Sequence, residues 1–117
     1  MNNLVVAYLG DAVYELYIRE YLINKGIAKV KELQKESLKY VSAKSQCRIL
    51  EDLLNNNILT PEEIDIVNRG RNASSHKSKT TNIITYKKAT GLECLIGYLY
   101  NNDKERCNEI MHYIIGE

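Results

Sequence analysis

Ala7-Tyr8-Leu9-Gly10-Asp11-Ala12-Val13 and Gly91-Leu92-Glu93-Cys94-Leu95-Ile96-Gly97 are the stretches whose reading decides this fold. Each sets one carboxylate close to a glycine inside an apolar run that reads as a buried helix. A buried acid is costly unless it is paired, hydrogen-bonded or bound to a metal. Glycine within a helix costs roughly 1 kcal/mol relative to alanine, so it calls for a packing or functional reason. Residues this small let two helices approach closely, which would bring Asp11 and Glu93 together. Two converging carboxylates point to a cation site.

Outward from these stretches the pattern stays helical. A single proline and the lack of alternating β-branched runs argue against a sheet. The spacing predicts a first long helix over Leu4 to Asn24, with Val5, Leu9, Ala12, Val13 and Leu16 on one apolar face. Gly26 is its expected terminator. A shorter helix is expected from about Lys29 to Tyr40. Ser42 then reads as the N-cap of a helix through Cys47, Leu50, Leu53 and Leu54, stopped by Asn55-Asn56-Asn57. Thr60-Pro61-Glu62-Glu63 spells a capping box with proline in the first turn, opening a helix that runs to about Arg71 or Asn72. Ala73 to Asn82 is a polar loop without a large apolar residue, expected to be mobile or ordered by a ligand. A long helix over about Ile83 to Tyr100 carries the stripe Ala89, Leu92, Leu95, Ile96 and Leu99. After Asn101-Asn102-Asp103 a last helix ends near Ile115. The fold class is all-α, and residues 1–117 are expected to form one domain.

Of the 117 residues, 44% are hydrophobic, enough for a core. With neither Trp nor Phe, the nine tyrosines must supply the aromatic packing, with many hydroxyls near a boundary or subunit contact. The three cysteines form no CxxC pair, which argues against a zinc centre. Their odd number, without a signal peptide, fits a reducing cytoplasm. No apolar run approaches the roughly 18 residues that span a bilayer. The net charge of +1 conceals an asymmetry: Arg69, Arg71, Lys77, Lys79, Lys87 and Lys88 fall in one stretch without an acid. One basic surface on a mildly acidic body suits an anionic partner.

Leu9-Gly10-Asp11-Ala12-Val13-Tyr14-Glu15-Leu16 resembles the first motif of the ribonuclease III catalytic domain. Glu93-Cys94-Leu95-Ile96-Gly97-Tyr98-Leu99-Tyr100 resembles its last. Val41-Ser42-Ala43 with Gln46, and Arg69-Gly70-Arg71-Asn72-Ala73, look like the mini-ribonuclease III branch, which consists of the endonuclease domain alone. The four motifs, in order, cover nearly the whole chain.

The resemblance implies a ribonuclease III endonuclease-domain-like helical bundle and a Mg²⁺-dependent endoribonuclease. The family cuts double-stranded RNA, leaving a 5′-phosphate and a 3′-hydroxyl. Asp11 and Glu93 would be the catalytic and metal-holding residues, meeting the preference of Mg²⁺ for one or two carboxylates with water and phosphate filling its octahedron. No histidine lies near either acid, so no His general base is expected. Larger family members carry further acids at the positions of Leu4, Ala7 and Thr90, which leaves the metal count open. Thr90 is a weak candidate for holding a water through its hydroxyl, and Glu15, one turn after Asp11, reads better as a solvated surface residue.

Arg69, Arg71, Lys77 and Lys79 are the expected RNA-binding residues, contacting phosphates of an A-form duplex by shape and charge. A basic residue at a helix C-terminus also has a simpler reason in the helix dipole. The lone loop histidine, His76, reads as inert. The resemblance further implies a homodimer with two active centres across one duplex, and a 23S ribosomal RNA precursor as substrate. No double-stranded-RNA-binding domain is expected to follow, so affinity is expected from the dimer itself and to be salt-dependent. Family members often carry a few more residues ahead of the aspartate motif, which leaves a longer N-terminus open. The alternatives are a non-catalytic helical RNA-binding module with a degenerate site and a helical scaffold whose basic loop serves a protein partner.

Overall fold

α1 spans Asn3–Asn24, α2 Val30–Val41, α3 Ala43–Asn55, α4 Pro61–Ala73, α5 Ile83–Asn102 and α6 Lys104–Ile115. These are the elements of a computed structural model that describes residues 2–74 and 82–116, and no strand occurs among the described residues.

Helix ends follow from local chemistry. Asn2 caps α1 by accepting from the Leu4 amide at 2.8 Å, and Gly26, at φ 96°, takes the left-handed conformation that closes it. Ser42 caps α3 through the Ser45 amide at 3.1 Å. The α4 capping box is formed: Thr60 Oγ1 accepts from the Glu63 amide at 3.1 Å, and Glu63 Oε1 accepts from the Thr60 amide at 2.9 Å. Asp103 caps α6 through the Arg106 amide. Against expectation, α5 continues through Asn101 and Asn102. The Asp103 amide still reaches the Leu99 carbonyl at 2.7 Å, and the Asn102 amide group donates to the Tyr98 carbonyl.

α5 is the central element, buried around most of its circumference by Ala89, Thr90, Gly91, Leu92, Cys94, Leu95, Ile96, Gly97 and Leu99. A helix apolar all round belongs inside a bundle; α1, α3, α4 and α6 surround this one. Tyr14, Ile18, Leu50, Leu53, Leu92, Leu95, Ile96, Ile110 and Met111 form the fully buried centre.

The buried face of α1 differs from the one expected. It consists of Val6, Ala7, Gly10, Val13, Tyr14, Ile18 and Leu22. Val5 and Leu16, expected inside, are 50% and 56% exposed. α1 is apolar on two sides, so periodicity cannot choose between them; the close approach permitted by Gly10 does.

Candidate active site

The site begins with two backbones in contact. A Cβ added at Gly10 would lie 1.7 Å from the Glu93 carbonyl oxygen, and one at Gly97 would lie 2.1 Å from that of Val6. No residue but glycine leaves room for this crossing of α1 and α5. Gly91 serves a different junction: its added Cβ would meet the Val67 carbonyl of α4 at 2.8 Å. Of the two glycines flanking Glu93, only Gly97 seats α1.

The crossing sets the side chain of Asp11, which follows Gly10, against that of Glu93. The two carboxyl groups lie near enough for the charge of Asp11 to bear on Glu93, and two acids this close are eased by a proton or a cation between them. Burial, then the charge of Asp11, push the Glu93 carboxyl up to about 8, with Glu15 adding to the rise. Asp11 lies at the exposed rim and Glu93 is half-buried. Glu15 pairs with Arg19 at 3.4 Å on the surface of α1, as a solvated acid does, and its charge adds a little to the rise at Glu93. Among the described residues neither Asp11 nor Glu93 forms an ion pair.

Gln46 is a site residue that the sequence flagged only as part of a motif. It is 2% exposed, and its amide faces the Glu93 carboxyl, opposing the rise in that group's pKa. α3 fixes its backbone: the Gln46 backbone N–H donates to the Ser42 carbonyl at 2.9 Å. Ser45 ties the same turn to α2 by donating to the Leu38 carbonyl at 3.1 Å.

Thr90 is otherwise engaged. Its hydroxyl donates to the Tyr86 carbonyl at 3.0 Å and lies 3.3 Å from the Ser74 hydroxyl, so it joins the end of α4 to α5. Arg69 pairs with Asp65 at 3.2 Å and lines a groove of about 300 Å³ with Asn3, Cys94 and Tyr98. Arg71 stands half-buried in the last turn of α4, where the helix dipole favours it. Lys88 is tied to Glu51 at 2.8 Å. Lys77, Lys79 and His76 lie outside the described residues.

The donor set fits a hard divalent cation. Two like-charged carboxyl groups held in contact without a basic partner need a proton or a cation between them. Mg²⁺ accepts this few protein ligands, whereas zinc sites take three or four with nitrogen or sulfur. Among the described residues no group of three or more His, Cys, Asp or Glu is placed to hold a metal, so protein ligation would rest on this pair.

Residues 4–104 match the model of the Ribonuclease III domain family. The chain is 42% identical to the mini-ribonuclease 3 of Streptococcus pneumoniae over 98% of its own length and 91% of that protein's. It is 45% identical to that of Staphylococcus aureus over 98% and 87%. A crystal structure of a Fusobacterium nucleatum protein superimposes with a TM-score of 0.85 at 32% identity, covering 99% of this chain and 93% of the other.

Proposed function

The chain belongs to the ribonuclease III family, in its mini-ribonuclease III branch, and on that premise we propose that it is a Mg²⁺-dependent endoribonuclease of double-stranded RNA, with Asp11 and Glu93 as its catalytic and metal-holding residues. The observation that carries this reading is the crossing of α1 and α5, where glycine-to-backbone contact holds two carboxyl groups together without a basic partner.

The reaction is hydrolysis of one phosphodiester bond. A water oxygen bonds to phosphorus, the bond to the 3′-oxygen breaks, and the products are a 5′-phosphate and a 3′-hydroxyl. Asp11 and Glu93 would hold the divalent cation, which when bound would supply activation of water and neutralisation of charge on the phosphate. The protein's part is to fix both carboxylates on rigid helices, which keeps them aligned without reorganisation. Glu93 must give up its proton to take part, so the half-buried acid is poised near neutral pH.

Recognition of the duplex would fall to phosphate contacts from Arg69, Arg71, Lys77 and Lys79, read by shape. A homodimer is supported by an exposed apolar stripe on α1: Val5, Tyr8 and Leu16 are 50%, 83% and 56% exposed. A second copy on this stripe would cover a large apolar surface of the kind that marks interaction sites, beside Asp11 on the same helix. The substrate proposed is the paired end of a 23S ribosomal RNA precursor, and the compartment the cytoplasm. No helix among the described residues is long and apolar enough to cross a membrane.

The test is cleavage of a long RNA duplex with Mg²⁺, with EDTA, and with Asp11→Asn. Metal-dependent cutting lost in the variant is the expected result. Retarded but intact RNA with the native protein would favour the non-catalytic binding module instead.

A further inference from the structure

Gln46 holds a buried donor without a use in the fold. Among the described residues its Nε2 is the buried side-chain nitrogen that lacks a hydrogen-bond partner, although the residue is only 2% exposed. Leaving such a group unmatched is unfavourable by about 1–3 kcal/mol, and native proteins do so rarely. A methionine would fill the same space without that penalty. The side chain is not displaced by a loose backbone either, because Ser42 caps its helix and Ser45 bridges Ser42, at 2.8 Å, and Leu38, at 3.1 Å. The group this amide faces is the Glu93 carboxyl, near enough to hold that group's pKa down but joined to it by no hydrogen bond of ordinary geometry.

We infer that Gln46 is a positioning residue: its Nε2 donates to the Glu93 carboxylate when that carboxylate turns to hold a divalent cation with Asp11. The inference rests on the cation-binding reading of the acid pair. A carboxylate has two oxygens, and a cation shared with Asp11 would take up one of them. The other oxygen then carries charge inside the bundle and needs a donor. α3, which packs on α5 as α1 does, delivers one, so Glu93 would be held by both the cation and an amide. Hydrogen bonds from outer partners commonly orient metal-holding carboxylates, and their loss weakens metal binding 10- to 100-fold. The donor is thus pre-placed at the expense of cation-free stability, as strained or unmatched groups at functional sites often are.

The test is binding of Mn²⁺ or Mg²⁺ alone, without RNA, by calorimetry on the full chain, together with thermal melts with and without the ion. Gln46→Met keeps the volume and removes the donor. Expected are cation affinity at least tenfold weaker, a smaller cation-induced rise in Tm, and a cation-free Tm equal to or above that of the native protein. A purely structural glutamine would give a lower cation-free Tm and an unchanged affinity. If Gln46→Met does not fold, Gln46→Asn, which withdraws the amide by one methylene, is expected to weaken binding likewise. Affinity within twofold of native in the variant that folds overturns the inference. Native protein that binds neither ion overturns the cation site itself, a separate outcome.

Discussion

Glu63 and Glu93 are two acids drawn into one small core, and they meet opposite fates. Glu63 is 6% exposed, closes the α4 capping box, and receives Arg106 at 2.8 Å and 2.9 Å on its two oxygens. The same guanidinium also reaches the Ile58 carbonyl at 2.8 Å. The Arg106 hydrogen bonds hold Glu63 below the usual carboxylate range despite burial. Glu93 meets another acid in place of an arginine, and burial with Asp11 pushes it up to about 8. Burial is common to both; the neighbour's charge decides the outcome. A matched acid is part of the frame, whereas an unmatched one, beside glycines that let two helices touch, marks a site where chemistry is expected.

The comparison is broken most forcefully by exchanging each acid for its amide. Glu93→Gln is expected to lower cleavage of duplex RNA by about a thousandfold, since it would remove one of the two groups proposed to hold the cation, an effect worth several kcal/mol. Glu63→Gln, assayed at a temperature where it stays folded, is expected to retain cleavage. Single-turnover rates on one duplex measure both; similar losses in the two variants would erase the distinction.

A second expectation concerns stability. Arg106→Met leaves Glu63 buried without its partner, and breaking a buried pair from one side is expected to destabilise by about 3 kcal/mol. Urea denaturation measures this as a lowered midpoint, and a change below about 1 kcal/mol would reduce the pair to the worth of a surface bridge.

The smallest effect is on the pH dependence of melting. In EDTA the folded protein binds more protons than the unfolded chain between about 4.5 and 8, because Glu93 is raised from its ordinary 4.5 to about 8. Its contribution to stability is therefore present at the acid end and lost as pH rises through that window. Glu63, whose pKa is lowered, contributes in the other sense, with stability present above 4.5 and lost as pH falls below it. Melting temperatures from pH 5 to 8.5 are expected to decline in the native protein and to flatten in Glu93→Gln. Equal slopes would place the unmatched acid elsewhere.

Local rules made most of the helices legible. The capping box at Thr60 and Glu63, the cap at Ser42 and the terminating Gly26 depend on a few neighbouring residues, so their reading required no knowledge of the fold. The stripe on α5 was equally plain, as all of Ala89, Leu92, Leu95, Ile96 and Leu99 are buried. The inward face of α1 was not, because apolar residues line both of its sides and only contact with α5 distinguishes them. The acids were visible as chemically odd residues next to glycines, whereas Gln46, a polar residue like many others, stood out only once its burial and its unmatched nitrogen were seen.

By itself, then, the order of residues determined an all-helical chain, where most of its helices begin and end, and which two carboxylates were out of place. Tertiary structure decided which glycine faces which helix, that Glu63 meets a guanidinium while Glu93 meets Asp11, and that an amide from α3 stands behind the pair. Those outcomes depend on atoms remote in sequence coming within a few ångströms, where desolvation and neighbouring charge act with full strength, and no local pattern encodes that distance.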